Sequence, residues 1–374
     1  MTDLLVTPHT PALGTGRSLR TYAIARVLAS HGGVEVLYVE HGAVEPAPEL
    51  RALEGVSLVA VRPSRGLRRA LTYARARAAG VPRGFARGIS PELQAAAGRL
   101  ARAPGRGRVI ADGPVAAAAL LPLARRRPVV YNAHNVESSL RASIPGELRD
   151  FGTPARLARF ERRLFDTASE TWMVSDADMQ EARQIAPNAA FRYVPNVVDV
   201  TSIRPVPRTG SRRVLYAGDF SYAPNRLALA FLADEVMPIV WASVPEATLV
   251  VTGRSLELPA GSDPRVDARG FVDDLEAVYR SVDCVAVPLL QSGGSPLKFV
   301  EALAHGLPVV ATSRAARGLA AEAGAHYLAG DDAGAFAAAV VRALRGEAQD
   351  VAAAGRALAA REYSLEKLAE LVAG

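Results

Sequence analysis

Short apolar runs alternate with stretches of helical periodicity along the whole of this chain. The first half carries candidate strands at residues 4–6, 34–39, 56–61, 109–111, 129–131 and 171–174. A second series follows at residues 213–217, 248–252, 284–287 and 308–311. Apolar strands separated by helices are typical of parallel sheets with helices on both faces, so the pattern predicts an α/β protein.

The two series of strands are separated by residues 204–211, where two prolines and a glycine break any regular element. We therefore predict two Rossmann-like domains of doubly wound parallel sheet, residues 1–203 and 212–374, joined by this linker. A length of 374 residues suits two domains. Ligands of such sheets bind beyond the carboxyl ends of the strands, and two domains facing each other would form a cleft there.

The composition excludes several classes of protein. Hydrophobic residues make up 49% of the chain, but apolar runs such as residues 115–123 are too short to span a bilayer. The first residues suit a strand and not a signal peptide. Cys284 is the one cysteine, which excludes an intramolecular disulfide and a thiolate cluster. We expect a cytoplasmic protein, with peripheral contact to the inner face of the membrane left open.

The positive charge is almost entirely arginine and is unevenly distributed. Two of the 44 basic residues, Lys298 and Lys367, are lysines, and the other 42 are arginines. Many of the arginines lie between Arg62 and Arg108, with Glu92 as the single acid. Aromatic residues are not interleaved there as stacking on nucleic acid requires, so an anionic membrane surface or an anionic acceptor fits better. Residues 67–75 could form a basic amphipathic helix, or simply a solvated helix face.

A small-residue loop follows the candidate strand at residues 284–287. Pro296 stands where a helix would start, since proline suits the first turn. Gly293, Gly294 and Ser295 precede it and leave backbone N–H groups available at the positive end of that helix, as a phosphate requires. The loop therefore predicts a phosphate site.

Two charged residues of the same predicted helix support that prediction. Lys298 lies in the first turn and adds a mobile positive charge, and Glu301 is one turn further on, on the same face. A carboxylate at this place can accept both hydroxyls of a ribose. The alternative is a buried helix after a glycine-rich turn, with Lys298 and Glu301 as an ordinary surface ion pair.

The whole chain resembles the family 4 glycosyltransferases, which have the GT-B fold and usually retain anomeric configuration. The strongest part is Glu-Ala-Leu-Ala-His-Gly-Leu-Pro-Val-Val at residues 301–310. Further similar segments, in matching order and spacing, are residues 194–199, 217–225, 251–254 and 269–274.

The resemblance implies roles for particular residues. Glu301 would bind the nucleotide ribose, and the loop before it would hold the diphosphate and sugar hydroxyls. In the first half, residues 16–22 look like the loop that approaches the donor phosphates, and residues 132–137 look like the segment that presents a histidine to the transferred sugar. The residues so implied are Gly16, Arg20, Gly218, Gly293, Gly294, Ser295, Pro296, Leu297 and Glu301 for the nucleotide sugar, and His134, Lys298 and Arg254 for catalysis, with no metal ligands.

The chain departs from the family pattern at three places. The first of the family's paired glutamates would fall at Gly293. An arginine and a lysine that many members carry after the first strand of the second domain correspond to Asp219 and Asn225. A subset of the family shares this pattern together with a lysine like Lys298. The cation that neutralises the leaving diphosphate is therefore sought first at Lys298, then at Arg254, then at Arg20.

These expectations define a function and its rivals. We expect transfer of a sugar from a nucleotide-diphosphate sugar to the hydroxyl of a small-molecule, lipid or glycan acceptor, with retention and without a metal or other cofactor. A sugar-nucleotide epimerase of the same architecture and a non-catalytic sugar-nucleotide-binding protein remain alternatives. A dehydrogenase is excluded, because the third glycine of its fingerprint would fall at Leu19.

Three acidic sites are weaker candidates. Asp176-Ala177-Asp178 spells the Asp-x-Asp of metal-dependent transferases, but it follows Ser175 and precedes a predicted helix, so helix capping explains it better. Glu137 and Asp199 remain alternatives as general bases, although capping or loop hydrogen bonding is favoured for each.

Overall fold

A computed structural model describes residues 1–42, 44–144, 146–258, 261–291 and 295–373. The chain folds into two compact units. The first comprises residues 1–195 and 368–374, and the second comprises residues 196–367. Two of the expected phosphate-loop residues, Gly293 and Gly294, lie outside the described residues.

The first unit is built on a seven-stranded sheet with the strand order β3-β2-β1-β4-β5-β6-β7. All neighbouring strands are parallel. The strands are β1 (Thr2–Thr7), β2 (Val34–Val39), β3 (Val56–Val61), β4 (Arg106–Asp112), β5 (Val130–Asn132), β6 (Glu170–Met173) and β7 (Phe191–Tyr193).

Helices separate these strands. They are α1 (Gly16–Ser30), α2 (Pro48–Arg51), α3 (Leu67–Ala78), α4 (Arg83–Ala86), α5 (Pro91–Leu100), α6 (Gly113–Ala124), α7 (Glu137–Ser143), α8 (Pro154–Thr167) and α9 (Asp176–Ile185), with a 3₁₀ turn at Glu147–Asp150. Central strands β1 and β4 are buried on both faces, as a parallel sheet covered by helices requires.

The second unit has a six-stranded parallel sheet in the order β10-β9-β8-β11-β12-β13. Its strands are β8 (Arg213–Ala217), β9 (Thr248–Thr252), β10 (Val266–Gly270), β11 (Cys284–Val287), β12 (Val309–Ala311) and β13 (Leu328–Ala329). Its helices are α10 (Ala223–Ala230), α11 (Met237–Ser243), α12 (Leu275–Tyr279), α13 (Leu297–Ala304), α14 (Ser313–Ala316), α15 (Ala333–Arg345), α16 (Gln349–Glu362) and α17 (Leu365–Ala373), with a π-helical segment Phe231–Val236 between α10 and α11. The predicted α/β class and the two doubly wound sheets are confirmed.

The strand order reverses direction once in each sheet. In the first unit the reversal lies between β1 and β4, and in the second it lies between β8 and β11. Loops that follow such a pair of strands diverge to opposite sides of the sheet and leave a crevice at its carboxyl edge. The fold therefore offers one ligand crevice in each unit.

The boundary between the units differs from the predicted linker at residues 204–211. These residues belong to the second unit, where the Val206 N–H donates to the His305 carbonyl at 2.7 Å and the Thr209 and Gly210 N–H groups donate to the Asp283 carboxylate at 2.9 Å. The chain instead enters the second unit at residue 196. Proline and glycine break regular structure there without making the segment a spacer, because its backbone is hydrogen-bonded to the domain.

The end of the chain returns to the first unit. Helix α17 begins in the second unit, and its residues from Leu368 onward pack with the first. Arg108 Nη1 donates to the Val372 carbonyl at 2.6 Å, and Arg192 Nη1 donates to the Leu371 carbonyl at 3.0 Å. Both arginines satisfy carbonyls of the last helical turn, which otherwise have no intrahelical partner. The predicted second domain, residues 212–374, thus extends too far at its end.

Among the helices of the described residues, none is both long and apolar enough to cross a membrane.

Two glycines allow a close backbone contact at the carboxyl edge of the second sheet. The Gly218 N–H donates to the Thr252 carbonyl at 3.0 Å, and the Gly253 N–H donates to the Gly270 carbonyl at 2.8 Å. Gly253 has a φ of +144°, and a Cβ built on it would lie 1.6 Å from the Gly218 carbonyl oxygen. A side chain at residue 253 is therefore incompatible with this junction of β8 and β9.

We predict that Gly253→Ala destabilises the protein by at least about 2 kcal/mol, since the added methyl group must displace the backbone and L-residues disfavour this φ. Gly98→Ala is the matched control, because Gly98 lies within α5 and its added Cβ meets nothing within 4 Å. The control should leave stability unchanged or raise it by up to about 1 kcal/mol. Thermal unfolding followed by circular dichroism checks both variants. Equal melting temperatures for the two variants would contradict the conclusion that residue 253 cannot carry a side chain.

Candidate active site

Lys298 projects from the first turn of α13 towards the end of β8. Its Nζ donates to Asn225 Oδ1 at 3.0 Å and lies 4.6 Å from the centre of the Tyr216 ring. A Cβ built on Gly218 would be 3.2 Å from the same nitrogen, so the missing side chain at residue 218 leaves the space that the ammonium occupies. Burial lowers the pKa of Lys298 to about 7, against the opposing charge of Glu301.

Glu301 lies one turn further along α13 and has a different partner. Tyr279, at the end of α12, donates its hydroxyl to Glu301 Oε2 at 3.2 Å. Burial raises the pKa of Glu301 to about 7, although this hydrogen bond and the charge of Lys298 act in the opposite direction. The two residues therefore do not form the simple surface ion pair that was the alternative interpretation: each is held by its own partner within the fold.

A second layer of side chains fixes Tyr279 in place. The His305 ring stacks on the Tyr279 ring, with centroids 4.0 Å apart and an interplanar angle of 17°. His305 Nε2 is 2.6 Å from Glu276 Oε2, and its Nδ1 is 2.7 Å from the Glu301 carbonyl oxygen. Both ring nitrogens thus face oxygen acceptors. This layer restrains the donor of the hydrogen bond to Glu301.

Ser295 precedes α13 and is itself buried. Its carbonyl accepts a hydrogen bond from Asn196 Nδ2 at 2.8 Å, while its hydroxyl has no hydrogen-bond partner among the described residues. Pro296 is the N-cap of α13, one residue earlier than a first-turn position, and Leu297 is the first helical residue. A buried hydroxyl without a partner beside a helix N-terminus is an arrangement that suits an anionic ligand.

Asp219 and Asn225 are hydrogen-bonded to each other and to their neighbours in the segment after β8. Asn225 Nδ2 donates to the Asp219 carbonyl at 2.8 Å, and the Asp219 carboxylate accepts from the Ser221 N–H at 3.0 Å. The Tyr216 hydroxyl donates to the Asn225 carbonyl at 3.0 Å. Asn225 therefore organises this loop and also supplies the acceptor for Lys298.

Arg254 follows Gly253 at the end of β9 and is exposed. Its guanidinium carbon lies 4.9 Å from the centre of the Phe271 ring, and its carbonyl accepts from the Phe220 N–H at 2.9 Å. Arg254 thus follows β9, at the same edge of the sheet as the end of β8, towards which Lys298 projects. Its proposed contact with the leaving diphosphate stays a prediction.

The first unit carries a buried polar network around Asp112, at the end of β4. Asp112 Oδ1 lies 2.8 Å from His134 Nε2 and accepts from Asn132 Nδ2 at 2.8 Å. Asp112 Oδ2 accepts from the Thr21 hydroxyl at 2.7 Å. These residues come from α1 and from the ends of β4 and β5, so the network occupies the crevice where the strand order reverses. Asp112 was missed at the sequence level, although a lone aspartate ending an apolar strand is a recognisable signal.

The electrostatics of Asp112 follow from its contacts. Burial by itself would raise the pKa of this carboxyl. The charge of His134 and the hydrogen bonds from His134, Thr21 and Asn132 outweigh burial and lower the pKa of Asp112 to about 2. Asp112 is therefore ionised at neutral pH and holds the His134 ring by its Nε2 edge.

His134 is also restrained by a glycine. Gly113 has a φ of +80°, and a Cβ built on it would lie 3.0 Å from His134 Cε1 and 3.3 Å from Nδ1. The ring therefore packs directly on the backbone at the start of α6. The predicted histidine is thus held on two sides, and its role towards the sugar stays a prediction.

Arg20 is fully buried in the same unit. Its Nε and Nη2 donate to Asn132 Oδ1 at 3.0 and 2.6 Å, and its Nη1 donates to the carbonyls of Val194 and Pro195 at 2.9 and 3.1 Å. Burial lowers the pKa of Arg20 to about 10. These contacts make Arg20 a structural tie to Asn132 and the end of the first unit, and its expected contact with phosphate stays a prediction.

Gly16 is the first residue of α1, after the N-cap Thr15. Thr15 and Ser18 form a reciprocal capping box, in which each side chain accepts from the other's backbone N–H at 3.2 Å. The space around a Cβ built on Gly16 is empty to 4 Å. The helix N-terminus is thus formed, and its approach to donor phosphates stays a prediction.

The weaker acidic candidates have structural partners. Glu137 binds Arg141 at 2.9 Å, and the carboxylate of Asp199 accepts from the Thr201 hydroxyl at 2.7 Å. Ser175 is the N-cap of α9, as expected from the sequence: its hydroxyl oxygen accepts from the Asp178 N–H at 3.0 Å, and the hydroxyl donates to the Asp178 carboxylate at 2.8 Å. A further buried carboxylate, Glu161, accepts from the Glu137 and Ser138 N–H groups at 2.5 and 2.8 Å and so caps α7 from a distance, which no local sequence pattern indicates.

We predict that Asp112→Asn destabilises the protein by about 2 kcal/mol at pH 7, since a pKa lowered from 3.8 to about 2 corresponds to that free energy. Because the folded-state pKa is the lower one, this stabilisation is complete above pH 4 and is lost as the pH falls towards 2. The difference in melting temperature between wild type and variant should therefore shrink over that range. Asp273→Asn, on the surface, is the control and should change little at any pH.

A difference between wild type and Asp112→Asn that stays constant from pH 5 to pH 2 would contradict the ionised state of Asp112.

Known proteins resemble this chain in one segment of sequence and in the whole fold. Residues 211–346 match the family model described as glycosyl transferases group 1. No curated protein matches the sequence. Sucrose-phosphate synthase from Thermosynechococcus elongatus superimposes with a TM-score of 0.72 at 16% identity, covering 100% of this chain and 97% of that one.

Two other solved structures are similar along the full length. HepE of Anabaena, in complex with UDP and glucose, gives a TM-score of 0.72 at 17% identity, with 100% of this chain and 98% of that one covered. A UDP-forming α,α-trehalose-phosphate synthase from Burkholderia vietnamiensis gives 0.64 at 14% identity, with 100% and 98% covered. At such identities the structures establish the GT-B fold, and the family match lies in the unit that carries Lys298 and Glu301. The chain is therefore a glycosyltransferase of the GT-B fold whose residues 211–346 match the group 1 glycosyl transferases.

Proposed function

We propose that this glycosyltransferase transfers a hexosyl group from a nucleoside-diphosphate sugar to an acceptor hydroxyl, with retention of configuration and without a metal ion. The donor nucleotide lies on the second unit, at the carboxyl ends of β8, β9 and β11. The acceptor lies on the first unit, and its identity is a small molecule, a lipid or a glycan.

One observation carries this proposal: Lys298, Glu301 and the hydroxyl of Ser295 are all presented by α13 and the residue pair before it. The ammonium and the helix N-terminus offer positive charge to a diphosphate, and the buried Ser295 hydroxyl offers an additional hydrogen bond. Glu301 is one turn away and can accept hydrogen bonds from both ribose hydroxyls. Phosphate and ribose are adjacent in a nucleoside diphosphate, which matches this order along the helix.

Uridine is the base to test first. HepE has the same fold over its full length and binds UDP and glucose in its crystal structure. UDP-glucose is therefore the first donor to test, beside the corresponding guanosine, adenosine and thymidine diphosphate sugars.

The reaction needs charge stabilisation more than it needs a nucleophile. The bond between the anomeric carbon and the diphosphate oxygen breaks, and the electron pair leaves with the diphosphate. The acceptor oxygen then bonds to the anomeric carbon on the same face, and its proton passes to the leaving phosphate oxygen. Lys298 and the N–H groups of α13 stabilise the negative charge that develops, which is the largest contribution such a site makes. Lys298 and these amides supply the charge that a metal ion supplies in other transferases.

His134 belongs to the first unit and has a positioning partner in Asp112. The ionised carboxylate binds Nε2, and the Gly113 backbone supports the other side of the ring. In the proposed reaction His134 contacts the transferred sugar, and Asp112 acts only through His134. This division follows from burial, since Asp112 is 1% exposed and has no access to a substrate.

Ligand-dependent thermal stability tests the donor assignment directly. A nucleotide bound only to the folded protein raises the melting temperature by an amount that grows with the logarithm of its affinity. A selective rise with one nucleoside diphosphate, equal with magnesium and with a chelator, supports the proposal. A sugar-nucleotide epimerase would release an altered sugar nucleotide without any acceptor, and a non-catalytic binding protein would show the rise but no turnover.

We predict that Glu301→Ala weakens binding of the nucleoside diphosphate by about 1–3 kcal/mol, or roughly 5- to 150-fold in Kd, because charge-assisted hydrogen bonds to the ribose are lost. Isothermal titration calorimetry with UDP and 2′-deoxy-UDP makes the test specific. Wild type should prefer UDP, and the preference should disappear in Glu301→Ala. Glu366→Ala, an exposed glutamate of α17, is the control.

Retention of the preference for UDP in folded Glu301→Ala would remove Glu301 from the ribose site.

We predict that affinity for the nucleoside diphosphate falls about tenfold or more between pH 7 and pH 9. With the pKa of Lys298 at about 7, the empty site loses its positive charge over this range, so binding must take up a proton. The diphosphate itself titrates near pH 6 and is constant in this window. Ionisation of Glu301 opposes the trend by only about twofold, since its pKa of about 7 leaves it half ionised at pH 7.

Calorimetry in buffers of different ionisation enthalpy measures the proton uptake. Lys298→Met should bind weakly at every pH and show a flat profile. A profile in Lys298→Met as steep as that of wild type would assign the titration to another group.

A further inference from the structure

Helix α3 is a surface helix of the first unit in which no residue is buried. It contacts the core through Tyr73 and Ala76, which pack against the hydrophobic cluster of that unit. At 100° per residue, the opposite side of the helix is centred on Leu67, Leu71 and Ala74. Leu67 is 75% exposed and Leu71 is 45% exposed, so this outer face is apolar and open to solvent.

Arginines border one edge of the apolar face. Arg68 and Arg75 are seven residues apart, so they lie on the same side of α3, next to Leu71, and both are exposed. Arg65 lies in the loop immediately before the helix and is also exposed. The stretch from Arg62 to residue 91 contains no acidic residue, which leaves the field of this surface strongly positive.

Other arginines of the region have partners within the unit. Arg83 and Arg87 pair with Asp150 at 3.6 and 2.8 Å, and Arg69 donates to the Arg87 carbonyl at 3.3 Å. Arg77 donates to the Val81 carbonyl at 2.5 Å. The contacts of Arg69 and Arg77 fix the inner side and the end of α3. Arg65, Arg68 and Arg75 are exposed: Arg68 and Arg75 lie along one edge of the two leucines, and Arg65 lies just before the helix.

We propose that the outer face of α3 docks the first unit on an anionic lipid bilayer, with Leu67 and Leu71 in the interface and Arg65, Arg68 and Arg75 on lipid phosphates. A helix with an apolar stripe bordered by arginines lies in the plane of such a surface. Long arginine side chains place their charge at the headgroups while the leucines enter the acyl boundary. Nucleic acid fits less well, since Leu67 and Leu71 would be buried against phosphates and no aromatic ring lies on this face.

The position of α3 connects this surface to the candidate active site. The helix follows β3 and so starts at the carboxyl edge of the first sheet, the same edge that carries Asp112 and His134. Docking by α3 would hold that edge near the membrane plane. The inference rests on the exposed face alone and stands or falls separately from the proposed donor site.

Co-sedimentation of the full chain with vesicles measures docking. We expect binding to phosphatidylcholine vesicles that contain 30 mol% phosphatidylglycerol, as on the order of a third of anionic lipid gives a strong negative surface potential. Binding should be weak to pure phosphatidylcholine and should fall as salt is raised from 0.1 to 0.5 M. Equal sedimentation with both vesicle types, or with neither, would overturn the proposal.

Three pairs of substitutions, one of them a control, separate the effect of charge from that of apolar burial. Arg68→Glu with Arg75→Glu should lower the partition coefficient on anionic vesicles by about 30-fold or more, since each arginine contributes about fivefold near such a surface. Leu67→Ser with Leu71→Ser should lower it by at least about tenfold without changing the charge. Arg159→Glu with Arg183→Glu makes the same change of charge on the exposed sides of α8 and α9 and should have a small effect. A larger loss of vesicle binding from the α3 arginine pair than from the control pair supports docking through α3. An equal loss from the two pairs, or a larger loss from the control pair, would overturn it.

Insertion of α3 into the lipid interface can be measured by the fluorescence of a tryptophan introduced at residue 71. Trp172 and Trp241 are 1% and 7% exposed, so Leu71→Trp would add the exposed fluorophore. A blue shift and quenching by brominated lipid on anionic vesicles support the proposal. A concentration-dependent dimer in sedimentation velocity that is abolished by Leu67→Ser with Leu71→Ser, together with an unshifted emission of the Leu71→Trp variant on vesicles, would make the face a contact between two copies and overturn it.

Discussion

The candidate donor site depends on placing an ammonium group in a buried position at the edge of the second sheet. Lys298 reaches this position because residue 218 has no side chain, because Asn225 supplies an acceptor and because the Tyr216 ring faces the cation. Gly218 in turn lies against the backbone of Gly253. Burial lowers the pKa of the ammonium to about 7, since the charge of Glu301 compensates only part of the effect. A diphosphate would provide further negative charge, so the empty site is electrostatically incomplete in a way that matches the proposed ligand.

The two crevices handle buried charge in opposite ways. In the first unit Asp112 receives hydrogen bonds from Thr21 and Asn132 and faces His134, so its charge is stabilised inside the fold and its pKa is lowered. In the second unit Tyr279 is the one hydrogen-bond donor to the Glu301 carboxylate among the described residues, and the pKa of Glu301 is raised. A fully satisfied carboxylate serves structure and positioning, whereas one with unused acceptor capacity is available to a ligand. This contrast separates the positioning role of Asp112 from the ribose-binding role proposed for Glu301.

Most strands of the two sheets were predicted from the sequence. The predictions failed for a half-buried strand and for residues whose partners lie far away along the chain. Strands β1, β8 and β11 each contain a buried apolar run and were recognisable. Strand β10 is mostly half-buried and contains the pair Asp267 and Arg269, so its hydrophobic pattern is weak. The linker prediction failed because prolines in residues 204–211 do not reveal that Asp283, far along the chain, binds the same backbone. Lys298 and Glu301 were predicted because both lie on one helix turn. Asp112 and Tyr279 were missed because their partners come from other elements.

The identity of Lys298 has a physical reason that the arginine-rich composition makes visible. Of the 44 basic residues only two are lysines, and one of them is the cation of this site. A guanidinium is planar, larger and always charged, so it would keep its charge in this buried position with no ligand present. An ammonium is compact, and its pKa shifts with its surroundings, so it can be close to neutral in the empty site and charged beside a diphosphate. Lys298 would therefore carry its full charge only when a negatively charged ligand is bound. The unliganded protein thereby avoids part of the desolvation cost of a buried ammonium.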